Sequence, residues 1–158
     1  IASAQNVVNR TKSICVGLEP CVIPALGHSN FKIEDGTMEF GVGHHGEAGT
    51  KVEKLKSASE MAQEMAETIL NDFDFEEGKE VAVMLSSLGA TPVMELYVLY
   101  DEVEKVLAKA GHKVWKTYIG NYVTSLDMNG ASLTIVDLDD EIKELLSEPA
   151  VPIGMKNY

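Results

Sequence analysis

VAVMLSSLGATPVMELYVLYDEVEKVLAKAG, residues 81–111, changes its pattern within a dozen positions. Val81 to Leu85 form an apolar run without alternation, as in a central strand covered on both faces. Past the turn signals Gly89 and Pro92, apolar residues return at helical spacing, with Leu96, Leu99, Val103, Val106 and Leu107 on one side. Thr91 is placed to cap this helix, Pro92 suits its first position, and Gly111 supplies a stop. Beyond Gly111, KVWKTYIGNYV (113–123) begins another strand. A buried strand feeding an amphipathic helix and then a further strand marks an α/β fold.

The flanks extend that reading. Ser57 and Glu60 form a capping box, followed by Met61, Met65 and Ile69 with Ala58, Ala62 and Ala66 beside them, a helix ending near Asn71. SICVGL (13–18) and TMEFGVG (37–43) read as strands, residues 1–12 as the tail of a helix, and NDFDFEEGKE (71–80) as an acidic turn. LDMNGASLTIVDL (126–138) holds Asn129-Gly130, a hairpin signal because both turn positions need positive φ. DDEIKELLSEPA (139–150) closes with a short helix. The expected whole is one domain over 1–158, two-layered. Its mixed, mostly parallel sheet has about five or six strands, with helices packed on it and a C-terminal hairpin.

Composition narrows the function. Thirteen basic against twenty-five acidic residues give a net charge of −12, which disfavours nucleic acid and anionic membrane surfaces as partners. No apolar run approaches the ~20 residues that span a bilayer. Cys15 and Cys21, the only cysteines, read as buried free thiols in a reducing cytoplasm. The chain begins at Ile1 rather than methionine, so its natural N-terminus is expected to lie upstream.

The candidate site is GVGHHGEAG, residues 41–49. Glycines at 41, 43, 46 and 49 allow sharp turns and close approach of a ligand. His44 and His45 stand just past a strand end, and a free imidazole, with a pKa of about 6.5, is mostly neutral at pH 7 and nucleophilic. A metal site would need His44, His45 or Glu47 to converge with ligands from elsewhere, yet neighbours on extended chain point apart. A phosphate cradle would need a P-loop lysine, and Lys51 lies outside any such match. A single nucleophilic or basic histidine and a plain structural turn both remain open. Elsewhere, the acidic run DLDDE (137–141) is accounted for by capping and the helix dipole, and Trp115 with Tyr97, Tyr100, Tyr118 and Tyr122 by core and strand positions. LGATP (88–92) hints at an anion site at a helix start.

MEFGVGHHGEAG, SLGATPVMELYVLYDEVEKVL and YIGNYVTSLDMNGASLTIVDLDDEI together resemble the dihydroxyacetone kinases. The likeness is to the second half of their dihydroxyacetone-binding K subunit and runs from SICVGLEPCVIPALG to the chain end. It implies that the N-terminal domain is absent from this chain. In that family the loop reads GxGIHGEPG, and its histidine adds to the C2 carbonyl of dihydroxyacetone as a hemiaminal. The resemblance places that histidine at His45, with Gly43 and Gly46 giving the sugar room; His44 stands where the family has isoleucine, and Ala48 where it has proline. It implies no cofactor on this chain, with Mg and ADP or ATP on a nucleotide-binding kinase subunit. The hydroxyl-facing histidine and aspartate would lie in the absent N-terminal domain, so the chain is not expected to turn over alone. A homodimer joined at sheet edges is also implied. Some relatives instead sense dihydroxyacetone and co-activate transcription, and the glycine loop suits that role equally.

Overall fold

The computed structural model describes residues 1–29, 31–45, 47–72, 78–155 and 157. Gly46 and half of the acidic turn, 73–77, thus lie outside the described residues. In chain order the elements are α1 (Ala2–Asn9), β1 (Thr11–Glu19), β2 (Thr37–Phe40), β3 (Lys51–Lys54), α2 (Ala58–Asn71), β4 (Glu80–Ser87), α3 (Val93–Lys109), β5 (Lys113–Gly120), β6 (Asn129–Asp137) and α4 (Asp140–Ser147).

The strands form one sheet in the order β3-β2-β1-β6-β4-β5. It is a mixed α/β sheet, but the expected parallel majority is reversed. Among the described residues only β4 and β5 run parallel, and every other pair is antiparallel. One helical crossover, α3, joins that parallel pair. β6 then enters the centre of the sheet between β1 and β4, antiparallel to both. The hairpin expected at Asn129-Gly130 does not form for the same reason. Asn129 and Gly130 are the first residues of β6, opposite Glu19 and Gly17 on β1. Their partners are tertiary: the Thr91 hydroxyl accepts from the Gly130 N–H at 2.8 Å. It also lies 2.7 Å from the Asn129 Oδ1 and the Gly130 carbonyl, to one of which it donates.

Alternation along the strands explains why helices cover both faces. Val81, Val83, Leu85, Leu133 and Ile135 pack with α2 and α3 on one side. Ala82, Val136 and Trp115, one position out of phase, turn to the other side and meet Val7 of α1 and Ile142 and Leu146 of α4. The second face therefore carries helices too, and the expected two layers become three over part of the sheet. Both main helices follow their patterns. The capping box at Ser57 and Glu60 is formed, and α2 buries Ala62, Met65, Ala66 and Ile69. α3 buries Leu96, Leu99, Val103 and Leu107, each contributing about 1.5–3 kcal/mol if fully withdrawn from water. Its start differs from expectation: Pro92 occupies the N-cap without a side-chain bond, while Thr91 is committed to β6. Tyr97 is exposed on the outer side of α3.

The run at 137–141 serves the second helix layer. Asp139 caps α4 through the Ile142 N–H at 2.8 Å, and Asp137 and Asp139 face the Arg10 guanidinium at 2.5 and 3.2 Å. Cys15 and Cys21 are buried free thiols, and burial raises the Cys15 pKa. Among the described residues no helix is long and apolar enough to cross a membrane.

Candidate functional site

β2 delivers the chain into the loop 41–50, whose two ends are tied before the histidines are reached. The Gly41 N–H donates to the Cys15 carbonyl on β1 at 2.7 Å, and the Thr50 N–H to the Phe40 carbonyl at 2.8 Å. The buried Glu39 carboxylate takes the Gly49 N–H at 2.5 Å. Between these ties the chain folds on itself: the Gly43 N–H donates to the Glu47 carbonyl at 2.9 Å. A Cβ at position 43 would collide with the Glu47 side chain, so glycine there lets the glutamate turn inward. The room beside Gly43 is taken by this carboxylate.

Glu47 is the organiser of the loop. Its Oε2 accepts the His45 backbone N–H at 3.1 Å, and its Oε1 lies 3.8 Å from His45 Nδ1. Its own and His45's backbone N–H groups hold its carboxyl below the usual carboxylate range. The His45 side chain is 91% exposed. Because Nδ1 is the ring nitrogen beside the carboxylate, Nε2 is the nitrogen left for chemistry. His44 turns the other way. Its Nδ1 is 3.9 Å from Cys15 Sγ, and its Nε2 is buried without a hydrogen-bond partner among the described residues.

His44 and His45 line a cavity of about 360 Å³ together with Cys21, Ile23, Thr124, Ser125 and Leu126. Its far wall is the connection from β5 to β6, held on several sides. Ser86 Oγ accepts the Tyr122 and Val123 N–H groups, both at 3.0 Å, and the Ser125 N–H donates to the Leu88 carbonyl at 2.7 Å. Asp127 Oδ1 accepts the Val22 N–H at 2.7 Å. Leu126 is left-handed, at φ 53°, which is uncommon for a residue with a side chain and marks a locally over-determined segment. Gly89 runs so close beneath it that a Cβ would strike the Leu126 carbonyl.

The loop histidine is thus exposed at the lip of a cleft, with a carboxylate beside one ring nitrogen. Thr124, Ser125, Leu126, Cys21 and Ile23 did not emerge from the sequence as site residues, because tertiary folding brings them to the loop; Ser125, for one, bonds a backbone 81 positions away, which leaves no local pattern. The sequence signals for them are TSLDM inside the third motif quoted above and CVI inside SICVGLEPCVIPALG. After the LGATP stretch, the first turn of α3 carries Glu95. A second cavity of about 220 Å³ beside it is walled mainly by apolar groups such as Val16, Leu18, Met61 and Leu99. Among the described residues no group of three or more His, Cys, Asp or Glu side chains could hold a metal.

Residues 1–153 match the Dak1 domain. The dihydroxyacetone-binding subunit DhaK of the PTS-dependent dihydroxyacetone kinase 1 of Listeria innocua is 40% identical over 140 residues, covering 89% of this chain and 43% of that protein. The D-erythrulose kinase of Mycolicibacterium smegmatis is 36% identical over 150 residues, covering 95% of this chain and 26% of that protein. The solved structure of the dihydroxyacetone kinase operon co-activator Dha-DhaQ superposes with a TM-score of 0.87 at 28% identity, covering 94% of this chain and 46% of that one. The chain spans less than half the length of these relatives.

Proposed function

Since the chain belongs to the Dak1 domain family, we propose that it captures dihydroxyacetone on His45 for phosphorylation by a nucleotide-binding partner subunit. The observation that carries this reading is the His45 ring, 91% exposed at the lip of the 360 Å³ cavity and flanked by Glu47. The Nε2 lone pair attacks C2 of the ketone and forms an N–C bond. The carbonyl π pair moves to oxygen, which gains a proton, while the ring gives up its Nδ1 proton on the side of Glu47. The net change adds an imidazole N–H across C=O and reverses by the same path. Capture fixes the triose with a terminal hydroxyl presented to the phosphoryl donor. It also selects for ketones, because glycerol has no carbonyl to trap. The relatives named for dihydroxyacetone and for erythrulose are consistent with a ketone being the shared requirement.

In this reading Mg and ADP or ATP reside on the partner subunit, and the residues that activate the hydroxyl belong to an N-terminal domain outside this chain. Homodimerisation through the exposed sheet edges β3 and β5 belongs to the same reading. The test is carbon-13 NMR of dihydroxyacetone labelled at C2, mixed with the chain. A new tetrahedral-carbon resonance that disappears in His45→Ala supports capture; spectra identical for the two proteins contradict it.

The likeness to the operon co-activator favours a second reading, a dihydroxyacetone sensor without kinase activity. Capture is common to both. Phosphorylation of bound triose when a nucleotide-loaded partner subunit is added to the full-length protein separates them.

A further inference from the structure

A single peptide group carries the His45 ring at the lip of the cavity, the one joining His44 to His45. Its N–H is held by Glu47 Oε2 at 3.1 Å. Its carbonyl, belonging to His44, accepts the Ser125 hydroxyl at 2.6 Å, across 81 positions of chain. Both ends of one rigid plane are thus fixed from different sides, one by the loop itself and one by the β5–β6 connection. Ser125 is only 7% exposed, so water competes poorly for its hydroxyl. Its position is set in turn by its N–H on the Leu88 carbonyl at 2.7 Å and its carbonyl on the Met128 N–H at 3.0 Å. Leu126, next in the chain, is held left-handed at φ 53°.

From this we infer that Ser125 is a positioning residue for capture, acting through the His44 carbonyl; the inference rests on the reading of His45 given above. A histidine in a glycine-rich stretch of chain would otherwise sample many directions, and few of them aim Nε2 at a ketone held against Thr124 and Leu126. Clamping the peptide plane removes that freedom before the substrate arrives. Ser125 does not touch the reacting atoms, and its effect reaches them through one hydrogen bond.

The experiment compares the wild-type chain with Ser125→Ala, Ser125→Cys and Ser125→Thr. Two readouts are taken: the dihydroxyacetone adduct by carbon-13 NMR, and the exchange rate of the His45 backbone amide. Loss of the hydroxyl weakens capture roughly tenfold and speeds His45 exchange by a similar factor, as expected for one buried hydrogen bond. Ser125→Thr, which keeps the hydroxyl, restores both. Ser125→Cys keeps the volume with a weak donor and falls between, so it answers the question even if the alanine variant does not fold. Wild-type capture and exchange in Ser125→Cys or Ser125→Ala would overturn the inference. Should the wild type form no adduct, the capture reading fails by itself, and unchanged His45 exchange in the variants still decides against the clamp.

Discussion

Replacing Thr91 by valine tests how α3 is joined to the sheet. The substitution keeps the shape, so no cavity forms and the cost is confined to hydrogen bonds. Thr91 is buried, and its hydroxyl is the acceptor of the Gly130 N–H at 2.8 Å. The Gly130 carbonyl keeps the Leu88 N–H at 3.1 Å, so a single buried donor is orphaned. An orphaned buried donor costs about 1–3 kcal/mol. In a domain of this size each kcal/mol lowers the melting temperature by about 2–4 °C. A loss of about 2 kcal/mol therefore lowers it by roughly 4–8 °C, read by thermal denaturation followed by circular dichroism. Thr91→Ser should stay near wild type. Thr91→Asp separates this account from a capping role. Aspartate is a good N-cap, yet here its carboxylate would face the Asn129 Oδ1 and the Gly130 carbonyl. A Thr91→Val melting point within about 1 °C of wild type, with Thr91→Asp equally stable, would refute the reasoning.

Two further outcomes follow from the electrostatics. Glu47→Gln keeps an acceptor for the His45 N–H but removes the charge beside Nδ1, so capture of dihydroxyacetone should weaken a few-fold, and in Glu47→Ala by about tenfold; titration by NMR gives both, and equal loss in the two variants would contradict the division of roles. The Lys56 and Lys51 ammonium groups beside Glu53 hold its carboxyl from the ordinary 4.5 down to about 2. A depressed folded-state pKa contributes stability above the unfolded value, and that stability is lost as pH falls from about 4.5 toward 2. Melting temperatures of the wild type should therefore fall more steeply than those of Glu53→Gln in this window, and parallel curves would contradict it.

The helices were legible because their signals are local. The capping box at Ser57 and the spacing of Met61, Met65 and Ile69 specify α2 without reference to the rest of the chain, and the stripe from Leu96 to Leu107 does the same for α3. Strand order was not local. The succession strand, helix, strand occurs twice, at β3-α2-β4 and β4-α3-β5, and suggested a parallel majority, but only the second joins neighbouring strands; the insertion of β6 between β1 and β4 depends on contacts between distant strands. Asn129-Gly130 carried a strong turn signal that its bonds to Thr91 override. β3 went unseen because Lys51–Lys54 is a short, charged edge strand, which is how natural sheets protect an edge. At the site the glycine loop announced itself by composition, while Ser125 and Leu126 are brought to it by the sheet.

The central claim is a bond between a histidine nitrogen and the ketone carbon. It is tested most directly by one-bond nitrogen–carbon coupling, using the chain labelled with nitrogen-15 at histidine and dihydroxyacetone labelled with carbon-13 at C2. The account predicts a coupled pair in the wild type and in His44→Ala that vanishes in His45→Ala. A coupling that survives loss of His45, or a folded wild-type chain that shows none with saturating dihydroxyacetone, would contradict it.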